Sequence, residues 1–144
     1  MTLTSNEIEA ANRAEATAIL IRAGYRVYRP EADVSGEDLV IRSPRGELRP
    51  VQMKGRPTVD WHRYGGRQMW MLFPDPGGNK PGRPWFLIYH DDLFAWIKNR
   101  HGAAAGWNDA WSYRRMSTAL RKFLQPCMLH AAQAEAKTAE PGTP

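Results

Sequence analysis

Between Gly36 and Arg56 the chain reads GEDLVIRSPRGELRPVQMKGR, two short apolar runs joined by a turn that carries Pro44 and Gly46. Asp38 opens the first run, and Gln52 and Lys54 close the second. Burying an unpaired charge costs several kcal/mol, so polar groups in such runs pair with each other or hold a metal. No other stretch constrains the fold as tightly. As a hairpin it places Asp38, Val40 and Arg42 on one side of the first strand and Gln52 and Lys54 on one side of the second, because side chains alternate. The three polar groups meet in two registers. Asp38 stands opposite Gln52 with the turn centred on Arg45, or opposite Lys54 with the turn centred on Gly46. An intermediate register separates them, since a one-residue slip flips every side chain.

The flanking sequence supplies the rest of an α/β order. Thr4-Ser5-Asn6-Glu7 has capping-box spacing, and Ile8, Ala11, Ala18 and Ile19 follow at helical intervals, predicting a helix to about Ala23 that stops at Gly24. Tyr25 to Arg29 alternates like a strand ended by Pro30, and Glu31 to Glu37 reads as loop. Within the hairpin, Pro50 cannot donate to a ladder and predicts a bulge or an unpaired position. Pro57 to Gly66 reads as loop, Arg67 to Phe73 as strand, Pro74 to Gly82 as a long polar turn and Trp85 to Tyr89 as strand. Asp91 or Asp92 is expected to cap a helix running from Leu93 to about Asn99. Residues 101 to 111 form a Gly/Ala-rich link, and Ser112 to about Leu124 reads as a last helix stopped by Pro126. The expected organisation is one domain over residues 1–128 and a flexible tail over 129–144.

Length and composition set outer bounds. A chain of 144 residues buries roughly two thirds of its unfolded surface around one core, and 42% hydrophobic residues suit a globular protein. The single Cys127 forms no internal disulfide and has no zinc-ligand neighbours in sequence, which fits a reducing compartment. The polar start MTLTSNEIEA is unlike a signal peptide, and no run of apolar residues is long enough to cross a membrane, so a soluble cytoplasmic protein is expected. The net charge of +5 is uneven. Arg42, Arg45, Arg49, Lys54, Arg56, Arg63 and Arg67 face only Glu47 and Asp60 in the same stretch, and arginine suits forked contacts with phosphate. A solubilising surface accounts for charge alone as well as a nucleic-acid footprint does.

Together these motifs resemble the PD-(D/E)XK nuclease superfamily, and in particular its small Holliday-junction-resolvase-like members. The similarity covers about Asn12 to Arg56: the helix with Glu15, then Gly24-Tyr25-Arg26-Val27, then Gly36-Glu37-Asp38-Leu39-Val40-Ile41, then Val51-Gln52-Met53-Lys54-Gly55-Arg56. The resemblance implies a restriction-endonuclease-like core of the α-β-β-β-α-β type, with a mixed central sheet flanked by helices. It also implies a magnesium- or manganese-dependent DNA endonuclease. Asp38, Gln52 and the backbone carbonyl of Met53 would bind the metal, Lys54 would orient or activate the attacking water, and Glu15 would add a metal or water contact from the first helix. Hard oxygen ligands suit Mg²⁺ or Mn²⁺, and such an ion polarises phosphate and generates hydroxide near neutral pH. Gln52 departs from the family pattern, where Glu or Asp is usual, and removes one negative charge while keeping a carbonyl oxygen. Because cutting both strands calls for two active sites, the resemblance also implies a homodimer or higher homo-oligomer.

Each residue also has a plainer reading. Asp38 alone suits a local backbone contact, Gln52 and Lys54 a half-exposed strand edge, and Glu15 an ion pair with Arg22 or Arg26. Glu9, with Ser5, Asn6, Asn12 and Arg13 as helical neighbours, reads as solvated. Downstream, Arg56, Trp61, Arg63, Tyr64 and Arg67 interleave rings and cations as a DNA-gripping loop would, the arginines on phosphates and Trp61 or Tyr64 stacked on a base. Packing of both rings over a sheet edge is the alternative. His62 reads as a phosphate or solvent contact and Cys127 lacks a nucleophile's setting. Trp107 and Trp111 suit core or a dimer contact. Two other function classes stay open: a nuclease-fold DNA-binding module without turnover, and a protein-interaction adaptor built on the tryptophans, which would lack salt-sensitive DNA affinity.

Overall fold

The computed structural model describes residues 2–31, 37–77 and 82–132. The expected loop from Glu31 to Glu37 and the long polar turn fall partly outside these residues, as does most of the tail. The first helix, α1 (Ser5–Arg22), begins with the anticipated capping box: Thr4 accepts from the Glu7 amide while the Glu7 side chain accepts from the Thr4 amide. It ends before Gly24, whose φ of +95° is a conformation that glycine adopts without steric cost.

Next come β1 (Arg26–Tyr28), β2 (Leu39–Arg42), β3 (Leu48–Met53), β4 (Thr58–Asp60), α2 (Trp61–Tyr64), β5 (Trp70–Pro74), β6 (Trp85–Tyr89), α3 (His90–His101), β7 (Ala110–Ser112) and α4 (Thr118–Leu124), closed by a 3-10 turn at Gln125–Cys127. The main sheet has the order β1-β2-β3-β5-β6, with β3 and β5 parallel and the other neighbours antiparallel. Thus the fold is α/β with a mixed five-stranded sheet. A separate ribbon pairs β4 with β7.

Two cores lie on opposite faces of the sheet. Ala16 and Leu20 of α1 pack on Leu39, Ile41, Val51, Leu72, Trp85 and Leu87. On the other face Met71, Phe73, Phe86 and Ile88 meet Leu93 and Ile97 of α3 and Leu120 and Leu124 of α4. β5 and β6 are therefore covered on both sides, which is why they read as unbroken apolar runs. Toward β1, β2 and β3 no described element covers the second face, where Tyr28 and Leu48 are exposed.

Several expectations need correction. Pro50 sits opposite Val40 in an unbroken register, without a bulge there. The stretch Pro57 to Gly66 is not a loop but holds β4 and α2, because Val59 and Tyr64 bury in the second core. β5 begins at Trp70, later than the alternation from Arg67 implied. Ala110–Ser112 forms β7 against β4, so the last helix starts only at Thr118, where Ser117 caps it. Asp91 and Asp92 make no side-chain cap on α3. Past residue 128 the chain still holds to the body: the Leu129 amide donates to the Trp85 carbonyl and the Ala132 amide to the Arg22 carbonyl.

Candidate functional site

The hairpin register decides where the opening polar groups go. Leu39 pairs with Val51 and Arg42 with Leu48, which is the alignment centred on Arg45. Asp38 stands just before the ladder, anchored by its amide on the Val51 carbonyl at 2.8 Å. Its Oδ2 accepts from Gln52 Nε2 at 2.9 Å and from the Met53 amide at 2.9 Å. Lys54 continues the strand, its amide donating to the Leu72 carbonyl at 2.9 Å. Its Nζ lies 5.6 Å from the centre of the Tyr64 ring, close enough for a cation–π attraction that steadies the ammonium.

Asp38, Gln52, Met53 and Lys54 line one cavity of about 260 Å³ together with Gly55 and with Glu9, Asn12 and Arg13 of α1. The three helix residues lie at i, i+3 and i+4, so they form one polar stripe aimed at the strand ends. That spacing was the sequence signal for them, and it was missed because Glu9 looked solvated. Glu9 pairs with Arg13 at 3.2 Å on the exposed rim of the cavity.

Glu15 takes a different place. Its carboxylate accepts from Arg83 Nε at 2.9 Å and Nη2 at 3.0 Å, and from Trp85 Nε1 at 2.7 Å. The partner is neither Arg22 nor Arg26, and Glu15 is not among the residues lining the cavity. Partial burial pushes its pKa up, but hydrogen bonds from Arg83 and Trp85 and the charge of Arg83 outweigh this and hold the carboxyl below its ordinary value. Arg83 also donates to Asn12 Oδ1 at 2.7 Å, so it ties α1 to the segment before β6 and steadies one cavity residue.

The expected DNA-gripping loop divides. Arg56, Arg63 and Arg67 are exposed, and Trp61 is 41% exposed with one face against Phe94 at 4.9 Å. Tyr64, however, is only 2% exposed, its ring within cation–π range of both Lys54 and Arg63 and edge-on to His90. Such a ring has no open face for a base, so the packing alternative holds for Tyr64. His90 is fully buried: its Nε2 accepts from the Asp60 amide at 3.0 Å and its Nδ1 lies 2.9 Å from Asp91 Oδ1. Burial dominates over Asp91 and lowers its pKa, so the ring is neutral, donating to Asp91. Asp91 in turn accepts from the Gly66 amide at 3.1 Å. His62 is exposed, Trp107 and Trp111 pack on the second core, and burial raises the Cys127 thiol pKa.

Among the described residues no three of His, Cys, Asp and Glu gather as metal ligands. The cavity nevertheless fits a hard divalent cation by its donor set: one strand carboxylate, a carboxamide, the Met53 carbonyl and a helix carboxylate at the rim. Mg²⁺ is commonly held by one or two carboxylates and keeps several waters, and this donor set is of that kind. With Gln52 Nε2 donating to Asp38, its Oε1 is the amide's donor atom for a cation.

No protein-family model, curated protein or solved structure matches this chain.

Proposed function

We propose that this chain is a metal-dependent DNA endonuclease with a restriction-endonuclease-like core, resembling the PD-(D/E)XK superfamily. One observation carries the reading: the register that brings Gln52 to 2.9 Å from the Asp38 carboxylate also sets Lys54 on the wall of the same cavity. Asp38, the Gln52 and Met53 carbonyl oxygens and Glu9 would hold Mg²⁺ or Mn²⁺. When bound, such an ion polarises a phosphodiester and lowers the pKa of a coordinated water. The chain's own residues do the remainder. The Met53 amide and Gln52 fix the Asp38 carboxylate in one orientation, so its negative charge is preorganised. Lys54, steadied by Tyr64, presents an ammonium to the charge that grows on the phosphate. Arg56, Arg63 and Arg67 supply exposed guanidiniums for backbone phosphates, and Trp61 an exposed ring for a base.

A second reading, a DNA-binding module without turnover, is favoured by the neutral Gln52 and by the engagement of Glu15 with Arg83. Incubating labelled linear, branched and single-stranded DNA with the protein, with and without Mg²⁺, separates the two. Metal-dependent cutting of any substrate is the expected result; binding without cutting supports the second reading, and Mn²⁺ affinity that ignores Asp38→Ala counts against a metal site altogether.

A further inference from the structure

At the far end of the same hairpin the open face of the sheet carries a second charged site. Arg26 of β1 lies directly opposite Arg42 of β2. Like charges in that position are destabilising unless something of opposite sign lies between them. Arg45 joins them from the turn, and Arg26, Arg42, Ser43, Arg45 and the turn backbone line a cavity of about 440 Å³. All three arginines are exposed, and among the described residues none forms an ion pair or hydrogen bond through its side chain. The nearby acid, Glu47, is engaged by Ser43 and Arg49. Beside the cluster, Tyr28 is 45% exposed and faces the same side as Arg42.

We infer that Arg26, Arg42 and Arg45 form an oxyanion site for the phosphodiester backbone of nucleic acid. Converging guanidinium forks match phosphate oxygens, and an anion seated there removes the repulsion across the Arg26–Arg42 pair. Asp38 and Arg42 sit at opposite ends of β2, roughly 13 Å apart at about 3.3 Å per residue. A strand crossing the open face would therefore meet the arginines at one end and the Asp38 cavity at the other, with Tyr28 as a stacking surface between edges. The inference rests on the DNA-binding part of the proposed function and is independent of cutting.

The test measures DNA affinity of the full chain by fluorescence anisotropy, without metal so that cutting does not enter, over about 50 to 200 mM salt. Replacing Arg26, Arg42 and Arg45 by Gln should flatten the slope of log affinity against log salt by about 2 on single strands. An unchanged slope overturns the inference. If the Arg56, Arg63 and Arg67 variants flatten the slope while the sheet variants do not, DNA binds elsewhere and only this inference falls. If the unsubstituted chain binds no DNA, the proposed function falls with it. Inorganic phosphate is the second arm: it should raise the melting temperature saturably in the native chain and not in the triple variant. Phosphate protection with an unchanged DNA slope means a site for free oxyanions, which overturns the nucleic-acid assignment.

Discussion

At Asp38 and Glu15 the same carboxylate group has two different environments. Asp38 accepts from the Gln52 side chain and the Met53 amide at the mouth of a polar cavity, whereas Glu15 meets a forked guanidinium whose side chain is 9% exposed. The sequence placed Asp38 beside Gln52 because that position follows from strand alternation over a few residues. It could not place Glu15, because Arg83 and Trp85 lie far along the chain and no local periodicity announces them. Glu15→Gln is expected to lower stability by about 1 to 2 kcal/mol at neutral pH, a modest figure because the carboxylate is partly exposed. Since its pKa is lowered in the fold, the contribution is full above the ordinary glutamate value of about 4.3 and is lost as pH falls through the folded value. Thermal melts of the two proteins should therefore converge in acid, and any fall in cutting should match the loss of folded protein. A selective loss of metal binding would return Glu15 to the site.

Among the elements, the ones with a short-range signature were legible. α1 announced its capping box, the β2–β3 hairpin its Pro/Gly turn, and β6 its run of large apolar residues. β4, α2 and β7 were not legible, because they are held by each other. The Asp60 amide binds His90, the Trp61 amide donates to the Asp109 carbonyl, and β4 pairs with β7 across a long separation. His90 is the pin of this arrangement, joining α3 to the start of α2. Its pKa is lowered by burial, so the unfolded chain binds the extra proton first; stability is full above the ordinary histidine value of about 6.5 and declines as pH drops below it. Comparing unfolding free energies of the native chain and His90→Gln between about pH 5 and 8 checks this. The native protein should lose stability toward the acid end, and the variant, less stable at neutral pH, should lose less. Parallel profiles would remove His90 from that role.

For the whole molecule, helices cover both faces of the sheet at β5 and β6 and one face at β1 to β3. The exposed half thus carries the Asp38 cavity at one end and the arginine cluster at the other. None of the described helices is long and apolar enough to cross a membrane. The α/β class with a mixed sheet was readable from element order, but the covered and open halves were not, since they depend on where α3 and α4, which follow β6, pack on the sheet. The proposed endonuclease is expected to cut a phosphodiester where Asp38, Gln52 and Lys54 meet. The most direct measurement is the Mg²⁺-dependent cleavage rate of Asp38→Asn and Lys54→Ala, with circular dichroism confirming the fold. Each variant should lose about a hundredfold or more of the rate while unfolding at nearly the native temperature; full metal-dependent cutting by either one would contradict the account.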